Sequence, residues 1–85
     1  MKLQKWNYEK RQYEDFEVPS DWRCRAYVPD ILEPVSCPHC GKILPFYETY
    51  TSLEVHTPMG FGYGVCGECY EKEWERRRRF KGEKG

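Results

Sequence analysis

The chain has no apolar run approaching the ~20 residues that a membrane-spanning helix needs. Its aliphatic supply is thin: Leu, Ile and Val together make up eleven of 85 residues. Neither sign of charge is in excess, since 14 Lys and Arg balance 14 Asp and Glu. Histidine occurs only twice. The first three shortages each exclude something. The first argues against a spanning helix, and with no leader-like opening the expected setting is soluble and intracellular. The second argues against an ordinary aliphatic core in a chain already small enough to be marginal. The third weighs against a dedicated nucleic-acid binder, which shows a basic surplus.

Rings and thiols are what the chain has instead. Fourteen aromatics, seven of them Tyr, outnumber the aliphatics, and there are five Cys. A single domain over residues 1–85 is therefore expected to build its core from rings, with a metal fixing one end.

The tetrad Cys37-Pro38-His39-Cys40 admits two readings. A thiol–disulfide motif places its first Cys at a helix N-terminus near a βαβ unit. Here Gly41 follows at once and Pro45 stands where a helix interior would be, so a turn and then an extended segment are expected. The metal reading gains a second half, because Cys66 and Cys69 repeat the C-x2-C spacing 25 residues on. Two such pairs can surround one Zn²⁺ tetrahedrally, with sulfurs at about 2.3 Å and no position left open. Cys37, Cys40, Cys66 and Cys69 are thus the expected ligands of one structural zinc. Gly41 and Gly67 stand where the turns of the Cys pairs would use positive φ. Structural zinc contributes about 10–16 kcal/mol in finger peptides, comparable to the about 5–15 kcal/mol stability of a whole domain, so the fold is expected to require it. Four free thiolates imply a reducing compartment, the cytoplasm. With Zn²⁺ and four thiolates the formal charge would be about −2. Cys24 is left over and reads as a small buried apolar residue.

Residues 1–36 read as an aromatic, charged N-terminal extension, punctuated by Pro19, Pro29 and Pro34. Trp22, Cys24, Ala26 and Val28 alternate with Arg23, Arg25 and Tyr27, the pattern of a half-buried strand. The segment from Lys5 to Val18 suits neither helix nor strand decisively and is expected to be an extended arm over the metal module. Further on, residues 47–56 alternate Tyr47, Thr49, Thr51, Leu53 and Val55 against Glu48, Tyr50, Ser52, Glu54 and His56. Thr57-Pro58-Met59-Gly60 is a turn, and Phe61, Tyr63 and Val65 return opposite Gly62 and Gly64, closing a hairpin whose glycine face admits close approach. A helix then starts at the second Cys pair and frays near Lys81 and Gly82, leaving 81–85 as a tail. Its early Glu and late Arg residues match the macrodipole, and Glu73–Arg77 and Glu75–Arg79 are favourable i,i+4 pairs. Tyr70 and Trp74 share its inward stripe.

Knuckle, hairpin and a helix carrying the last two Cys residues resemble a treble-clef zinc finger over residues 37–80. The expected class is thus small α+β, with an N-terminal extension holding at least one strand. A zinc ribbon would instead put a knuckle and strand at the second Cys pair. This fold hosts many functions. Some treble clefs resemble His-Asn-His nucleases, for which His56 could serve, but the helix offers no second His or Asn. His56 reads as a strand-end surface residue and His39 as a knuckle-loop residue, so no enzyme is expected. The run Arg76–Arg79 steps about 100° per residue and encircles its helix rather than lining one face. Tyr, Trp and Arg are the types enriched at interface hot spots. Trp22, Trp74, Tyr70 and Phe61 are expected in the core. Trp6, Tyr8, Tyr13, Arg76, Arg78 and Arg79 are the candidate partner contacts.

The overall pattern VPSDW…C…CPHCG…YTS…H…GFGYGVC…CY…EW also resembles small zinc-finger proteins of Firmicute phages and prophages. Some short phage proteins of this kind are anti-CRISPR inhibitors. The resemblance implies a non-enzymatic protein that binds a type II CRISPR effector nuclease in the host cytoplasm and blocks DNA binding or cleavage. The alternative is a nucleic-acid-binding regulator using the Arg-rich helix.

Overall fold

The computed structural model describes residues 2–82, with side chains for 2–80. It is a small α+β structure with one helix and two antiparallel sheets. β1 (Lys2–Asn7) and β2 (Gln12–Glu17) form a hairpin. The short strands β3 (Pro34–Ser36) and β4 (Ile43–Pro45) form a second, separate ladder. β5 (Tyr50–His56) and β6 (Gly62–Val65) complete the main sheet, whose order is β2-β1-β5-β6. Helix α1 (Gly67–Gly82) closes the chain. It starts at the second Cys pair as expected and continues through Lys81 and Gly82; the rest of the expected tail, 83–85, lies outside the described residues.

The N-terminal segment is not an arm. It supplies half of the main sheet, with Gln4 and Lys5 of β1 registered against His56 and Val55 of β5. Asn7 makes the hairpin. Its Oδ1 accepts the N–H groups of Glu9 (2.9 Å) and Lys10 (3.0 Å), and Arg11 N–H donates to the Asn7 carbonyl at 2.8 Å. Such side-chain turns are a property of Asn. Beyond the turn, Trp6 faces Tyr13 across the ladder, with the rings edge-to-face at 5.1 Å.

Residues 22–28 alternate inward and outward as expected, with Cys24 and Val28 buried, but they form no ladder. The Arg23 carbonyl accepts from Ser36 N–H (3.2 Å) at the end of β3, and the Arg25 carbonyl accepts from Gly64 N–H (2.9 Å) in β6. A segment tied to two different sheets within three residues cannot register with either. The strand expected from residue 47 begins only at Tyr50, because Phe46–Glu48 form a 3₁₀ turn. β5 is also irregular: its register against β6 shifts between Thr51 and His56. The shift turns Ser52 and Glu54 inward, against the expected alternation, and both are buried.

Two clusters make the core. Leu3, Val18, Cys24 and Val55 form one, flanked by Phe16, Trp22 and Tyr63. Leu44 and Val65 form the other with Cys37, Cys66 and Cys69, against Tyr70. A core of rings is therefore not what forms. The buried apolar residues are small aliphatics and cysteines, and the flanking rings are only partly covered, because so small a fold lacks the depth to enclose them. Phe61, expected in the core, is 62% exposed beside the Thr57–Gly60 turn.

Gly41 and Gly60 both have positive φ, +79° and +94°, whereas Gly67 simply opens α1. A Cβ on Gly41 would lie 2.6 Å from Trp22 Cζ2, while one on Gly60 meets nothing within 4 Å. Ala at position 60 therefore costs only the backbone strain, about 1 kcal/mol. Ala at position 41 adds a clash with a packed ring, for a total of about 2–4 kcal/mol. Urea unfolding of the two variants should separate them in that order.

Candidate metal centre and ring-lined cleft

The ladder between β3 and β4 brings Cys37 and Cys40 into one tight turn. Gly41 N–H donates to the Cys37 carbonyl at 2.8 Å and Cys37 N–H to the Lys42 carbonyl at 2.9 Å. Cys66 follows β6, and Cys69 sits in the first turn of α1. The four sulfurs lie within 4.8 Å of one another, with Cys40 and Cys66 at 3.7 Å. A tetrahedron with 2.3 Å metal–sulfur bonds has an edge of about 3.8 Å. The cluster therefore fits one metal ion such as zinc. The thiols also call for a cation. Burial pushes Cys37 and Cys69 up. Burial acts the same way on Cys66, but the Cys69 backbone N–H and the neighbouring thiols outweigh it and hold Cys66 below its usual value. Ionising several of these clustered thiols together needs compensating positive charge. Cys24 stands outside this group, its thiol pushed up to about 11 mainly by burial.

Behind the cluster lies a buried polar network that the sequence did not announce. Glu73 is fully buried, not paired with Arg77 on the surface. Its Oε1 accepts Leu53 N–H at 2.7 Å, and its Oε2 accepts Ser52 Oγ–H and His39 Nε2–H, both at 2.6 Å. Ser52 Oγ in turn accepts the N–H groups of Glu54 and Val55. The irregular stretch of β5 thus finds its hydrogen bonds in side chains where a ladder partner is lacking. Burial would push the Glu73 carboxyl up, but the His39, Ser52 and Leu53 donors outweigh it and hold it below its ordinary 4.5. Glu54, also buried, is forked by Arg76 through Nε (2.7 Å) and Nη2 (2.6 Å). His39, Glu54 and Glu73 also stand close enough to hold an ion. Their ligand atoms are already taken by these protein donors, and the arrangement is a closed hydrogen-bond network.

Of the candidate contact residues, Trp6, Tyr8 and Tyr13 converge on one cleft of about 480 Å³ between the N-terminal hairpin and α1. Phe80, Leu53, Arg11 and Arg77 complete its walls. Tyr8 stacks on Phe80 with centroids 5.0 Å apart, and Arg77 lies over Trp74 at 5.2 Å. The Arg residues disperse. Arg76 is engaged with Glu54, Arg78 lines a separate depression with Tyr50 and Trp74, and Arg79 is exposed. Among the described residues, no Glu75–Arg79 ion pair forms. His56 is half-buried against Tyr13, its Nδ1 without a partner and its pKa lowered chiefly by burial. Among the described residues, no helix is long and apolar enough to cross a membrane. No family model, curated protein or solved structure matches the chain.

Metal analysis of the purified protein should give one ion per chain, with most of the fold lost in Cys66→Ala, whereas Cys24→Ser keeps the ion and loses at most about 1–3 kcal/mol of packing. Full metal content in Cys66→Ala would refute the assignment.

For Glu73 the sign follows from its depressed carboxyl. The charged form stabilises the fold fully above the ordinary value of 4.5 and progressively less as pH falls through the lower folded value. Glu73→Gln should cost about 1–3 kcal/mol at neutral pH. Denaturation at a series of pH values should show that gap narrowing below about 4.5.

Proposed function

We propose that the protein is a non-enzymatic binding module, a treble-clef finger held by one structural Zn²⁺, and that its partner is another protein. The observation that carries this reading is the convergence of Trp6, Tyr8 and Tyr13 on one accessible cleft. A zinc held by four thiolates has no position open for water, which argues against Lewis-acid chemistry at that centre. The nuclease reading finds little support, since α1 contributes neither His nor Asn opposite the half-buried His56. On the resemblance to small phage zinc proteins, the partner is a type II CRISPR effector nuclease in the host cytoplasm. The module then acts as an inhibitor of DNA binding or cleavage.

The regulator reading rests on the Arg run. It is weakened by the engagement of Arg76 with Glu54. Arg77, Arg78 and Arg79 remain for phosphate contact, and three contacts give a log–log salt slope of about −2.7.

The test is size-exclusion chromatography with a type II effector, with and without guide RNA, beside a DNA titration at two salt concentrations. Co-elution that is lost in Trp6→Ala, with DNA binding weak and no cleavage in Mg²⁺ or Mn²⁺, is expected. Tight DNA binding with a slope of about −2 or steeper and no co-elution would favour the regulator.

A further inference from the structure

The cleft has a chemical bias that specifies its occupant. Among the described residues, its charged lining side chains are both guanidinium groups, Arg11 and Arg77, and no carboxylate lines it. The rings of Trp6, Tyr8 and Tyr13 line the cleft with them, and Tyr13 is 44% exposed. A volume of about 480 Å³ is within the range of sites that accept a ligand group.

Arg11 adds an independent sign. Its φ is +54°, and it has the only positive φ among the described non-glycine residues. A hairpin turn places Gly or Asn at such a position without strain. Here the turn instead carries a long cation into the cleft. A strained residue at the rim of a pocket points to use there.

We propose that the cleft docks an acidic peptide segment, which inserts one aromatic or long aliphatic side chain among the rings while its carboxylates meet Arg11 and Arg77. This rests on the protein-binding reading above and names the chemistry of the surface it recognises. A single-stranded nucleic acid shares the appetite for rings and cations but fits less well. Trp6 also borders a neighbouring depression lined by Glu14 and Asp15, and Glu9 is exposed in the same hairpin turn. A polyphosphate chain leaving the cleft on that side meets carboxylates, whereas a short segment with its charge confined to two points does not.

The test uses the zinc-loaded protein and a short fluorescently labelled synthetic peptide carrying one Asp on each side of a central Phe in a Gly background, read by anisotropy. Controls replace every Asp by Lys, replace Phe by Ala, or substitute single-stranded oligothymidine. The acidic Phe peptide should bind about tenfold or more tighter than either peptide control. Arg11→Gly should weaken it several-fold while leaving the melting temperature unchanged or higher, since Gly relieves the positive φ. A structural role for Arg11 would instead lower both. Arg77→Gln should weaken binding to a similar degree. Equal affinity for the Lys peptide, no binding of the acidic peptide, or tighter binding of oligothymidine would overturn the proposal. Co-elution with the effector nuclease is scored separately. Retained co-elution beside a failed peptide titration leaves the protein-binding reading standing and rejects only the acidic-segment chemistry.

Discussion

The carboxylate of Glu73 sits where three stretches of chain meet, and their arrangement depends on its being ionised and satisfied. It takes a backbone N–H from the irregular part of β5, a hydroxyl from the same strand and an imidazole N–H from the Cys37–Cys40 turn. A buried charge with three donors is stable, while the same charge with one donor missing is costly. The network therefore fixes the position of α1 over β5 and the position of His39 relative to both. That in turn sets how the first Cys pair faces the second.

Beside this network the apolar core is modest. Two small clusters, one of which includes three of the four candidate ligands, replace the single large core of a longer domain. Rings serve as partial covers. Trp22 spans the seam, packing on the Leu3 cluster and closing over Gly41 at the Cys turn. Arg76 and Glu54 add a fork on the other side of the network, and removing the cation alone would strand a buried carboxylate. An arginine that reads as a surface contact in the sequence is thereby a half-exposed one committed to a buried carboxylate.

How far the sequence could be read depended on where each signal resided. The Cys spacing, the turn at 57–60 and the helix start after Cys66 are local signals, and they were legible. So was the alternation of Trp22 to Val28, although alternation reports which side chains face inward and not whether a ladder forms. The N-terminal hairpin was hidden because its turn has neither Gly nor Pro, and Arg11 occupies the left-handed position. Asn7, whose side chain accepts two turn N–H groups, was the available clue. Glu54 and Glu73 were unreadable for another reason. A carboxylate on a strand or helix ordinarily marks the solvent side, and the partners that reverse the rule, His39, Ser52 and Arg76, stand 20 or more residues away.

Helix α1 carries Cys69 in its first turn and Phe80 at its far end, roughly 16 Å along the axis. One end contributes to the sulfur cluster and the other to the cleft wall. A helix of this length is marginal unless something holds it. Anything that orders it from one end lowers the entropic cost of ordering at the other, and the reciprocity is exact in free energy. A metal ion that bound the sulfurs and a partner that filled the cleft would share one rod of backbone hydrogen bonds as their mechanical link.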